Sequence, residues 1–183
     1  MSMLNCSLFS LGCAVGFAPP AQHSSLTALR ALKIAQRRLR LEVRTKLLAA
    51  TSARSDASLV PRAWRFFFAD PATSGNCRVV TVAAKNSSEH PDTVEAFASS
   101  RMENASGSPV IPQNKLLVDS DKVAERIQAA SKLKGARAAE FQLVQPKGKS
   151  EPFWIVKIYG DRDGVLASFR MGAKSATLEQ TAS

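Results

Sequence analysis

Pro61-Arg62-Ala63-Trp64-Arg65-Phe66-Phe67-Phe68-Ala69-Asp70 decides the reading of the fold, because with short gaps it returns about ninety residues later as Pro152-Phe153-Trp154-Ile155-Val156-Lys157-Ile158-Tyr159-Gly160-Asp161. Each copy is a run of aromatic and β-branched residues opened by Pro and Trp and closed by an Asp-bearing turn, which is the composition of a strand with its stop signal. Downstream, Val80-Thr81-Val82-Ala83-Ala84-Lys85 aligns with Phe169-Arg170-Met171-Gly172-Ala173-Lys174. The tryptophan-to-lysine separations are 21 and 20, a difference that a hairpin loop absorbs.

Working outward, each copy is preceded by a helical pattern. Leu26, Leu29, Leu32, Ala35, Leu39 and Val43 recur at three- and four-residue intervals, with Ser24 or Ser25 as N-cap. In the second copy Asp119, Ser120 or Asp121 caps a helix with apolar Val123, Ala124, Ile127, Ala130 and Leu133, and Gly135 stops it. Residues 47–85 read as β structure with a hairpin of 64–68 and 77–83. Residues 139–144, 154–159 and 165–171 read as three further strands.

The expected fold class is therefore α+β: two repeated α-β-β-β modules, each a helix packed on a small antiparallel sheet, which share a core or join their sheets edge to edge. The expected organisation is a signal or targeting segment at 1–22, a diverged first repeat at 23–86, a polar linker at 87–115, a second repeat at 116–180 and a tail at 181–183. Residues 93–102 of the linker read as a short helix. The repeat markers are Trp64, Asp70, Trp154, Tyr159, Asp161 and Gly164.

The net charge of +10 is unevenly spread: residues 1–54 hold eight Lys/Arg against the single acid Glu42, and the remainder is nearly balanced. A general polyanion-binding surface is not implied, and the basic residues 30–46 read first as the solvated face of a core-packed helix. Residues 8–21 are apolar and too short to span a bilayer, but have the length of a signal-peptide core, although no Lys or Arg precedes them. Cys6, Cys13 and Cys77 are too few and too scattered for a disulfide framework, and Cys77 reads as a small buried hydrophobe.

In the second copy, a helix, a strand, the hairpin pattern of Trp154, Tyr159, Asp161, Asp163 and Gly164, and a closing Ala173-Lys174-Ser175-Ala176-Thr177-Leu178-Glu179 together resemble the PepSY domain. The first copy is similar only by way of the second, and the closing residues lack the Asp and Gly usual in that family. The resemblance implies a secreted, periplasmic or cell-envelope module without catalytic activity. It also implies a peptidase-inhibitory or chaperone-like role, and a peptide or a protein such as a peptidase as partner.

No catalytic, metal-binding or cofactor-binding residue is nominated. Asp161-Arg162-Asp163-Gly164 lacks the remaining oxygen ligands of a calcium loop and reads as a hairpin turn. Trp64 and Trp154 head core strands, and Glu140 and Glu151 have no partner for acid/base work. The expected function is peptide or protein binding through a sheet face or edge, with no cofactor. The alternative is nucleic-acid or ribosome association through the basic helix, and membrane anchoring has only weak support in the sequence.

Overall fold

A computed structural model describes residues 26–73, 77–84, 94–99, 108–130, 133–161 and 164–181. The signal segment, Cys6, Cys13, His23, His90, Asp163 and most of the linker lie outside them. The described strands are β1 (Leu47–Ser52), β2 (Ala63–Ala69), β3 (Cys77–Ala84), β4 (Val94–Ser99), β5 (Ala138–Val144), β6 (Phe153–Tyr159), β7 (Val165–Gly172) and β8 (Leu178–Thr181). The helices are α1 (Ala28–Gln36), the single turn α2 (Leu41–Arg44) and α3 (Ser120–Ala130).

All eight strands form one antiparallel sheet in the order β4-β3-β2-β1-β5-β6-β7-β8. This overturns the expected pair of helix-on-sheet modules: the protein is sheet-dominated, and its halves are joined edge to edge by β1 and β5. The seam pairs Ala49 with Val144, Ala50 with Leu143 and Thr51 with Gln142. Buried serines extend it: Ser52 Oγ accepts from Phe141 N at 2.9 Å, and Ser55 Oγ accepts from Ala139 N at 2.9 Å while Ser55 N donates to Ala139 O at 2.8 Å. A half-sheet alone would leave those backbone groups unpaired, and each half would be too small for a secure core.

One continuous core crosses the seam and contains the buried faces of α1 and α3 with Trp64, Phe66, Phe68, Phe141, Trp154, Val156 and Phe169. Trp64 and Trp154 each stand second in their strand, fully buried, and meet edge to face with centroids 6.1 Å apart. Their indole N–H groups donate to Leu26 O and Val118 O, both at 2.9 Å and both two residues ahead of a helix. Each tryptophan thus fixes where a helix starts relative to the sheet.

Other differences have local causes. Residues 94–99 form strand β4, where 93–102 read as a helix; pairing along β3 from Val79–Ser99 to Ala84–Val94 overrides a weak helical pattern. Leu178–Thr181, unassigned in the sequence reading, pairs with β7 as an eighth strand. The first helix ends at Gln36 and not near Val43, because Arg40 is extended (φ −62°, ψ 153°) and reaches buried Asp70 at 3.2 Å. Leu39 and Val43 still reach the core from the two sides of that bend. The N-cap is Thr27, whose side chain accepts from Arg30 N.

The three phenylalanines of β2 divide between the faces. Phe66 and Phe68 enter the main core, while Phe67 joins Leu48, Cys77 and Val79 in a small cluster. That second face is not roofed by the other half, which lies beside it in the sheet.

Candidate binding surface

The sheet face turned away from the helices is laid out by strand register. One row across the strands runs Thr81, Arg65, Thr51, Gln142, Ile155, Arg170 and Glu179. The adjacent row runs Val79, Phe67, Ala49, Val144, Phe153 and Gly172. A polar, basic row therefore borders an apolar one, as period-two side-chain alternation requires. Gln142 and Lys157 are exposed, and Val144, Phe153, Ile155 and Arg170 are half-buried.

Aromatic rings on this face are covered by guanidinium groups. Arg170 stands 3.8 Å from the Phe153 ring centroid, Arg54 stands 3.9 Å from that of Tyr159, and Arg65 stands 5.4 Å from that of Phe67. The Tyr159 hydroxyl donates to Glu140 Oε2 at 2.8 Å. Burial, reinforced by the Glu140 carboxylate, pushes the Tyr159 phenol above its ordinary value, so it stays a neutral donor.

The outer edge of this half is β8. Gly172 N donates to Thr177 O at 3.0 Å, which sets the phase of the β7–β8 ladder. In an antiparallel pair the bonded positions alternate, so Glu179 and Thr181 turn their backbone groups toward β7. Leu178 and Gln180 turn theirs outward. Beside the turn leading into β8, a hollow of about 400 Å³ is lined by Leu117, Val118, Lys122, Glu125, Arg126, Ala129 and Ala176. Leu117 is 67% exposed there.

The repeat markers do not assemble into one site. Trp64 and Trp154 meet in the core and offer no ring face to a ligand. Asp70 is fully buried at the end of β2, where it accepts from Arg78 Nε at 2.8 Å, Arg40 at 3.2 Å and Ala72 N at 3.1 Å. The hydrogen bond from Arg78 comes first among the influences that hold the Asp70 carboxyl below its ordinary value, against the opposing effect of burial. Asp161 lies in solvent and receives a hydrogen bond from Arg137. Gly164 closes the β6–β7 turn by accepting from Gly160 N at 3.0 Å.

Glu140 serves Tyr159, and Glu151 holds the β7–β8 turn by accepting from Lys174 N at 3.0 Å and Ser175 N at 2.9 Å. Among the described residues no group of three or more His, Cys, Asp or Glu is placed to hold a metal ion. Among them, too, no helix is long and apolar enough to cross a membrane. The arginine-covered aromatics were missed in the sequence reading, although Phe153, Ile155, Lys157 and Tyr159 carry a strand-period signal that puts them on one face. Comparison with protein-family models, curated proteins and solved structures finds no match.

Proposed function

We propose that the chain is a non-catalytic binding protein that takes an extended peptide or protein segment onto the β8 edge, with the helix-free face of β5–β7 as the neighbouring contact surface. The observation that carries this reading is the outward set of Leu178 and Gln180 backbone groups on an edge strand. Main-chain hydrogen bonds to such an edge give affinity, and side chains alternating to the two faces give specificity. On one face the added strand's side chains stand beside Glu179 and Thr181 of β8, with Arg170 of β7 next inward. On the other it lies toward the hollow at Leu117 and Ala176.

In this reading the apolar segment 8–21 directs export, and the PepSY resemblance makes a peptidase the protein partner to test first. Gln180→Pro tests the edge, since proline is tolerated on an edge strand where its missing N–H faces out. Peptides selected from a random library on the intact protein should lose binding to Q180P while its thermal midpoint stays put. Peptides that bind Q180P as well as the parent would dispose of the edge.

A further inference from the structure

α1 and α3 hold corresponding places: each is entered two residues after a carbonyl that accepts a tryptophan indole N–H, and each buries one stripe in the shared core. Their solvent faces differ. On α3, Lys122 pairs with Glu125 at 2.9 Å, and Asp121 and Arg126 leave the face mixed in sign. On α1 and the residues just after it, Arg30, Lys33, Arg37 and Arg38 are all exposed, and no acid pairs with any of them among the described residues. At a rise of about 1.5 Å per residue they span roughly 12 Å, close to the Debye length near 0.1 M salt, so their fields add.

A merely solvated helix face needs no such excess, as α3 shows. Acids near α1 are already engaged: Glu42 pairs with Arg40 at 3.5 Å, Asp70 is buried beneath Arg40 and Arg78, and Asp119 accepts from Leu29 N at 3.0 Å and Ser120 N at 2.7 Å. Ala28, Ala31, Leu32 and Ala35 lock the opposite stripe in the core, so the cations cannot rotate inward. Next in the chain, past the bend at Arg40, Leu41 is 70% exposed.

We propose that the α1 ridge of Arg30, Lys33, Arg37 and Arg38, with Leu41 at its tip, docks the protein onto an anionic lipid surface. Clustered Lys and Arg on an amphipathic helix attract acidic headgroups. A neighbouring apolar side chain gains by entering the acyl boundary. Nucleic acid fits less well: residues 26–46 contain no aromatic side chain for base stacking, and phosphates offer an exposed leucine nothing.

The test is flotation of the full chain with vesicles of phosphatidylcholine alone and of phosphatidylcholine and phosphatidylglycerol in equal parts, with single-stranded RNA and duplex DNA assayed in parallel. Binding should appear with the anionic vesicles only and fall as salt is raised. R37Q/R38Q should weaken it by roughly 25-fold, at about fivefold per cation. The charge-matched K122Q/R126Q pair on α3 should change it by less than about twofold. Leu41→Ser should weaken vesicle binding severalfold and leave its salt dependence alone. Equal loss in the α1 and α3 variants, indifference to phosphatidylglycerol, or binding to nucleic acid but not to vesicles would each overturn the proposal.

Discussion

Asp70 and Asp161 close corresponding strands, β2 and β6, yet one is fully buried among two arginines and a backbone N–H, and the other lies in solvent beside Arg137. α1 and α3 differ in the same manner, one carrying cations that no acid among the described residues pairs with and the other a balanced face. Trp64 and Trp154, by contrast, are alike in burial, strand position and hydrogen-bond partner. What the halves share is what the sheet and core require. What they do not share is the surface: the buried Asp70 and the basic face of α1 belong to one half alone.

The shared features should show the largest effects. Trp64→Ala and Trp154→Ala should each lower stability by about 3–5 kcal/mol, read from urea unfolding, because each removes a fully buried ring and orphans a helix-entry carbonyl. The two rings touch, so the double variant should cost less or more than the sum, and strict additivity would argue against a common core.

Asp70 against Asp161 sharpens the comparison. Asp70→Ala should cost about 3 kcal/mol, the low end for breaking a buried ion pair, since Arg78 and Arg40 keep some access to water. Asp161→Ala should leave the unfolding midpoint unchanged. Because the native Asp70 carboxyl is held below its ordinary value, its ionised form contributes stability that is fully present above about pH 4, the unfolded aspartate value. That stability is lost as pH falls through the lower native value. Wild type and Asp70→Asn should therefore converge in stability as pH falls below about 4.

A smaller effect is expected at the seam. Ser52→Ala leaves the buried Phe141 N–H without its acceptor and should cost about 1–3 kcal/mol. A substitution on the solvent face of α3, such as Lys122→Gln, should do nothing measurable to stability.

Much of the sheet was legible because its local signals agree. Alternation, Pro and Asp boundaries and the tryptophan-led strands placed β2, β3, β5, β6 and β7 to within one or two residues. The β1–β5 pairing was not legible, because an open strand edge carries no mark of its partner and the bonds from Ser52 and Ser55 span more than eighty residues. β4 and β8 were missed because their strand character comes from pairing and not from composition. The bend at Arg40 was hidden for a similar reason: it depends on Asp70, thirty residues away. Of the proposed lipid-docking ridge, the basic residues of α1 were visible in the sequence. That no described acid pairs with them could be seen only once the fold had placed Glu42, Asp70 and Asp119.

The most direct test of a single cooperative sheet is equilibrium urea unfolding of Trp64→Phe and Trp154→Phe, each of which keeps one tryptophan as a reporter of the opposite half. In each variant the fluorescence of the remaining tryptophan and the far-ultraviolet circular dichroism should trace one coincident transition. A reporter that melts clearly before or after the circular dichroism signal would show two independent units and contradict the one-sheet, one-core fold.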